Sequence, residues 1–592
     1  MCHRLNPNNL PTGTNVYFLV LLITSLMIAF WSGQFLPGPE YFTTPFNARF
    51  QPGLYSTKSG VYGLAILSVL ASIFYFYHSR RRNNVFGPYQ NLDAYNSVRD
   101  KIAQLSERSG VRVDILLHDK NITNTDAIAF GFRGKRTILM GQGMLLLAIR
   151  RPQNFLARIA HELGHFRNGD IKYAFISRSL LQANLVLMTI IVVWLVAHPA
   201  RVVLMQYYLF TDPTLGVPGA DLKLFFSSHG LRWARYWADQ VVGALTITVP
   251  VFAFWALLLF MEYRSLLRTR EILADARAAQ WVGRDALLEA LTSGKTPPQP
   301  SLRDKLFELL SAHPLLPHRV DVVLRPHNVL QPSLLRFLFL GYLYSLTNYL
   351  ISSINKLMQI LNPRYGELLT QGNAMQALLS VLRFEQPIAS VIYFGVIIAL
   401  TTIFMIVVAT LLRSSLTQRL SGCAHWTWLL TTIAQISLFA AGNVLGDAFH
   451  PYSQSKQLQL ASKVMLGQSI DGLFFNRIGI KDILDQATPC GILLGVSILF
   501  WVEVNFIVAG SRSKSIKAWQ WGALMVCTSL AVFQVWSIVW VARTYPDYIN
   551  SIFLTTGGLQ AVLYLVIALA VSWFMRGRYR SVGHTPGWLL AE

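Results

Sequence analysis

Long apolar runs set the pattern of this chain. Stretches of roughly 18 mostly apolar residues or more lie near 16–35, 61–77, 180–197 and 241–261, and again near 334–351, 388–412, 426–446, 490–509, 519–541 and 558–575. Each is about the length a helix needs to cross a hydrocarbon core of ~30 Å. The pattern predicts about ten membrane-spanning helices. The run near 334 is the most interrupted, by Arg336, Ser345, Thr347 and Asn348. The first run is longer than a signal-peptide core, and its end, WSGQF, lacks a small-x-small cleavage pattern, so it reads as a retained anchor.

Two polar segments, 78–179 and 262–333, interrupt the runs. In the first, Phe155, Leu156, Ile159 and Leu163 recur at helical spacing; Pro152 suits a first turn and Gly169 a terminator. Upstream, VDILLHD and RTILMGQGML read as two strands, preceded by a helix from about Leu92 to Leu105 with Val98 and Ile102 on one face. The expected fold class is a mainly α polytopic membrane protein with a small α+β domain. Residues 1–77 would hold two spans, 78–333 the α+β domain interrupted by a two-span hairpin at about 180–261, and 334–592 a further membrane domain of about six helices.

Composition agrees, with 53% hydrophobic and 14% charged residues among 592. The formal charge of +22 does not call for nucleic acid, because membrane chains collect Lys and Arg on the cytoplasmic side. Arg80 to Arg82, Arg413 with Arg419, Arg512 with Lys514 and Lys517, and Arg576 with Arg578 and Arg580 all sit in short connections without an acidic residue. The loop 447–489 instead balances Lys456, Lys463, Arg477 and Lys481 against Asp447, Asp471, Asp482 and Asp485. The alternation places the basic loops, both polar segments and both termini on one face, read as cytoplasmic. Cys2, Cys423, Cys490 and Cys527 show no ligand spacing. Glu503, inside an apolar run but near its cytoplasmic end, reads as a snorkelling carboxylate.

Candidate chemistry lies in IAHELGHFRNGD, residues 159–170. On a helix His161 and His165 share a face and can offer imidazoles to one Zn²⁺, with Glu162 projecting beside them as a base for water. A hydrolytic zinc needs a third protein ligand. RTREILADARAA supplies Glu271, with Asp275 one turn later to orient a ligand histidine. Two expected spans separate His165 from Glu271, an even number, so both segments return to the same side. His165 precedes one span by about 15 residues and Glu271 follows the next by about 10, or ~15 to 22 Å if helical. The alternative is that His161 and His165 are ordinary surface or core histidines, and Glu271 with Asp275 part of a solvated helix face.

This stretch resembles the HtpX and CAAX prenyl protease type 1 family of membrane zinc metallopeptidases. The matching positions are His161, Glu162, His165, Asn168 and Asp170, and then Glu271 and Asp275. A further match is SAHPLLPHRV, where the resemblance implies that His313 and Arg319 stabilise the oxyanion, although His318 is an equal candidate to His313. It also implies one zinc per chain and an extended peptide bound along an edge strand at Arg136 to Gln142, unless that strand is wholly paired within its sheet. The resemblance covers roughly the first 330 residues and leaves 334–592 without a counterpart.

The function so implied is a membrane zinc endopeptidase acting on membrane or membrane-proximal proteins, in protein quality control. One alternative is processing of lipidated or prenylated C-termini. Another is a transporter or scaffold whose peptidase-like domain is inactive or senses metal.

Overall fold

The computed structural model describes residues 13–33, 35–36, 57–85, 90–91, 95–119, 124–132, 135–211, 222–292, 301, 304, 307–308, 310–325, 335–346 and 425–448. They fall into two units, one built from residues 1–20, 86–171 and 266–592, the other from 21–85 and 172–265.

The first unit holds a four-stranded sheet. Its strands are β1 (Gln90–Asn91), β2 (Asp114–Asp119), β3 (Ala127–Phe132) and β4 (Lys135–Gly141), in the order β1-β2-β4-β3. β2 and β4 are the two strands the sequence predicts. They run parallel, with Ile115 opposite Ile138, while β3 returns antiparallel on the far side of β4, with Ala129 opposite Ile138. β4 is therefore interior. Ile138, Leu139 and Met140 are all buried, the continuous apolar run of a strand covered on both faces. This corrects the expectation of a substrate strand at Arg136 to Gln142: the main-chain groups of β4 are already paired on both sides. Among the described residues the sheet's edges are the two-residue β1 and, beside β4, β3, whose outer side is open.

The helix Asn96–Ser109 precedes β2 and buries Val98, Ile102 and Leu105, the face its spacing predicts. It starts and ends four residues later than expected. Its end is set by Gly110, whose φ of 64° lets the chain reverse while its N–H is donated to the Glu107 carbonyl.

The motif helix, Pro152–Asn168, opens on proline and closes on Gly169. Gly169 has a φ of 72°, and its N–H serves the last carbonyls, His165 and Phe166. Phe155, Ile159 and Leu163 are completely buried and join Ile102, Ile138, Met140 and Leu287 in one core. Removing a side chain such as Phe155 from this core is expected to cost about 3 to 5 kcal/mol.

In the second unit residues 21–33 of the helix Gly13–Gly33 come close to the helix Thr57–Val85. A Cβ on Gly63 would stand 2.2 Å from the Ala29 carbonyl oxygen and 2.7 Å from Gly33 Cα, so only glycine permits this approach. Among the described residues three helices, Gly60–His78, Asp170–Ala197 and Thr248–Val282, are long and apolar enough to cross a membrane. They coincide with the expected runs near 61, 180 and 241. Tyr17–Gly33 and Leu335–Leu346 are shorter apolar helices at the runs near 16 and 334. The helix His425–Ala448 occupies the run near 426. The runs near 388, 490, 519 and 558, and Glu503, lie outside the described residues.

Candidate metal centre

Two helices supply the centre. The motif helix carries His161, Glu162 and His165, and the helix Leu222–Val282 carries Glu271 and Asp275. The latter outruns its apolar stretch. Beyond Met261 it bears Arg264, Arg268, Arg270, Glu271, Asp275 and Arg277, a polar extension no hydrocarbon core would accept.

The two helices touch where the ligands lie. A Cβ on Gly164 would meet Ala274 Cα and its carbonyl oxygen at 3.0 Å, so the absence of a side chain at 164 sets how near the backbones come. Gly164 lies one residue before His165, and Ala274 one before Asp275.

His161 Nε2 stands 3.4 Å from Glu271 Oε2, and His165 Nε2 3.5 Å from Glu271 Oε1. One ligand atom from each of the three residues can be chosen so that all lie within 4.8 Å of one another. The two imidazoles meet nearly edge to face, at 85° with centroids 4.8 Å apart. Their other nitrogens are engaged: His161 Nδ1 with Asp275 Oδ1 at 2.8 Å, His165 Nδ1 with Asp170 Oδ2 at 3.4 Å. A carboxylate accepts, so in the neutral rings each Nδ1 carries the proton and each Nε2 turns a lone pair toward Glu271. Two imidazole nitrogens and a carboxylate oxygen, with the rings oriented by further carboxylates, form a donor set suited to a divalent transition metal such as zinc. Glu271 and His165 are buried, and Asp170 and Asp275 completely so.

In the metal-free protein these carboxylates dominate His161. Burial opposes its positive charge, but Asp275 and then Glu271 outweigh burial and raise its pKa to about 10. A proton thus occupies the position a metal would take.

Glu162 points elsewhere. Its Oε2 accepts a hydrogen bond from the Ala129 N–H at 2.6 Å. In the β3/β4 register the Gly141 N–H is donated to the Asp126 carbonyl, so 126, 128 and 130 form the hydrogen-bonded pairs with β4. Ala127, Ala129 and Gly131 consequently turn their main-chain groups to the open edge. The motif glutamate is bonded to the middle one.

The structure brings the third motif to the same place. His313 Nδ1 lies 3.3 Å from Glu271 Oε2 with its side chain 70% exposed. Arg319, expected at an oxyanion, instead donates from Nε and Nη2 to the two oxygens of Asp275, at 2.7 Å each. Burial works against the charge of Arg319, but this paired carboxylate prevails and raises its pKa. His318 turns away, to Glu308 at 3.1 Å.

Several contributors carry no legible catalytic signal. Asp170 is marked in the sequence only as one of the positions that carry the family resemblance. Arg270 Nη2 sits 3.1 Å from Glu271 Oε1. Arg277 donates to the Asn168 side-chain oxygen, tying the end of the motif helix to the helix that carries Glu271. Gly164 had one available signal: a glycine inside a helix costs about 1 kcal/mol relative to alanine, so its presence asks for a packing reason.

No curated protein and no solved structure gives a significant match to the chain. Residues 95–326, the segment that contains every side chain of this centre, match the family model described as peptidase family M48. That match, joined to the geometry above, supports a metallopeptidase domain of family M48 over residues 95–326 of the chain.

Proposed function

We propose that the chain is an integral-membrane zinc endopeptidase. The observation that carries this reading is the convergence of His161, His165 and Glu271 on one point, with Glu162 next to His161 and bonded to the open edge of the sheet. Zinc held by His161 Nε2, His165 Nε2 and a Glu271 carboxylate oxygen would supply Lewis acidity for peptide hydrolysis near neutral pH.

The chain's own residues do the rest. Glu162 takes the proton of the attacking water and passes it to the departing amine. An extended substrate adds to β3 at Ala127, Ala129 and Gly131, with the Ala129 N–H exchanging its bond to Glu162 for one to the substrate. Main-chain pairing of this kind asks little of the substrate's side chains, which suits unfolded or varied targets. His313, exposed beside Glu271, faces the substrate carbonyl as charge develops on it. Asp275, held by Arg319, orients His161, and Asp170 orients His165.

Flanking spans favour membrane or membrane-proximal polypeptides as substrates, in protein quality control, with the peptidase domain and both termini cytoplasmic. Processing of lipidated C-termini, or transport or scaffolding with an inactive peptidase-like domain, would follow if unfolded polypeptides are not cleaved.

The test is metal content and cleavage of an unfolded model protein by detergent-purified wild type, Glu162→Gln and Glu271→Ala. About one zinc per chain, kept by Glu162→Gln with activity down at least ~10²-fold and weakened in Glu271→Ala, is expected. Equal cleavage by wild type and Glu162→Gln would sink the proposal.

A further inference from the structure

Three positions on one face of the helix Leu222–Val282, Arg268, Glu271 and Asp275, follow one another at spacings of three and four. Each receives one piece of the segment 308–319. Arg268 Nη1 donates to the Glu308 carbonyl at 2.8 Å and to the Ser311 carbonyl at 3.1 Å. His313 stands 3.3 Å from Glu271, and Arg319 is paired with Asp275. The segment is laid along the helix in register with the candidate metal ligand.

Between the outer anchors the turn has its own fastening. Glu308 Oε1 accepts the Leu315 N–H at 3.1 Å and is approached by His318 Nδ1 at the same distance. Burial would raise the pKa of Glu308, but the bonds from His318 and Leu315 prevail and keep the carboxyl below its ordinary value, hence ionised near neutral pH. Ser311 Oγ accepts the His313 N–H at 3.2 Å. Glu308 therefore grips the turn at both ends, with its carbonyl through Arg268 and its carboxylate on Leu315. His318, the other histidine of the motif, is spent on this grip.

We propose that Glu308 and Arg268 are positioning residues that fasten the turn 311–315, and with it His313, to the helix carrying Glu271. The inference rests on the peptidase reading and deepens it. Neither residue touches the reacting atoms. Their effect is to hold an otherwise exposed imidazole where it meets the substrate, sparing it the conformational freedom of a side chain on a loose turn.

The test uses the full chain in detergent, with zinc added and metal content measured. Variants are Glu308→Ala, Glu308→Gln, His313→Ala and the double variant Glu308→Ala with His313→Ala. Hydrogen exchange over 311–319 is read alongside kcat and KM for an unfolded protein substrate. In Glu308→Ala, exchange should quicken at His313 and Leu315, kcat should fall about 10- to 100-fold with KM little changed, and zinc should stay at the wild-type level. Glu308→Gln keeps a carbonyl for the Leu315 N–H and should recover most of the loss. In the His313→Ala background, removal of Glu308 should cost nothing more.

Unchanged exchange in Glu308→Ala overturns the proposal, as does an undiminished kcat loss in the His313→Ala background. Failure of the peptidase reading shows differently, as equal cleavage by wild type and Glu162→Gln, and hydrogen exchange still decides whether the turn is fastened.

Discussion

At the scale of the residue, His161 carries the clearest consequence. Its pKa, raised to about 10 in the metal-free protein, means that a metal must displace a proton at neutral pH. Apparent zinc affinity should therefore rise about tenfold per pH unit between roughly 6.5 and 10, which competition titrations at pH 7 and pH 8 would reveal. Metal-free stability follows the opposite sign. The folded pKa lies above the unfolded one, so this contribution is complete below about 6.5, shrinks as pH rises and is gone above about 10. Thermal melts of the metal-free protein across that window check it.

Gly164 makes a second residue-scale claim. A methyl group there would meet Ala274 at 3.0 Å and force the two helices apart by a few tenths of an ångström. Gly164→Ala gains about 1 kcal/mol of helix propensity but overpacks by about 1 to 3 kcal/mol. Its fold should survive while zinc affinity drops several-fold; wild-type affinity in this variant would show that the close approach is incidental.

Among the elements, what could be read in the sequence was local. The motif helix, its proline start and its glycine end follow from residues within a few positions of one another, and β2 and β4 from their apolar runs. β3 escaped because AIAFGF, with Gly131 inside it, is a weak strand on its own. Its pairing with β4 makes it one. Without β3 the sequence left open whether the strand beside the motif helix is an edge or is paired on both sides, and the pairing decides for the second. Ala129→Pro tests the corrected edge: proline removes the one N–H bonded to Glu162, so kcat/KM should fall about 10- to 100-fold. Bound zinc should be unaffected. Unaltered kinetics would exclude β3 as the substrate's partner.

For the molecule as a whole, the residue types of the candidate centre, His161, His165 and Glu271, were legible in the sequence. The partners of Arg319 and His318 were not. Those pairings depend on how 308–319 lies along a helix some forty residues earlier, which no local pattern encodes. Because the metal would join both helices, its removal should loosen them together. A chelator is expected to lower the Tm of residues 95–326 by at least several degrees, and a Tm indifferent to chelation would mean that the helices hold without it.

The order of the candidate ligands along the chain has its own consequence. The first two are His161 and His165, and the third, Glu271, comes only after 105 intervening residues, 166–270. In a growing polypeptide the histidines emerge long before the carboxylate, and the residues between must be made before the three can meet. Closing so long a loop costs several kcal/mol of chain entropy, on the order of 5 by analogy with a cross-link of that length. On the peptidase reading proposed above, a nascent chain that has not yet made Glu271 would lack hydrolytic power, so synthesis would be spared its own product.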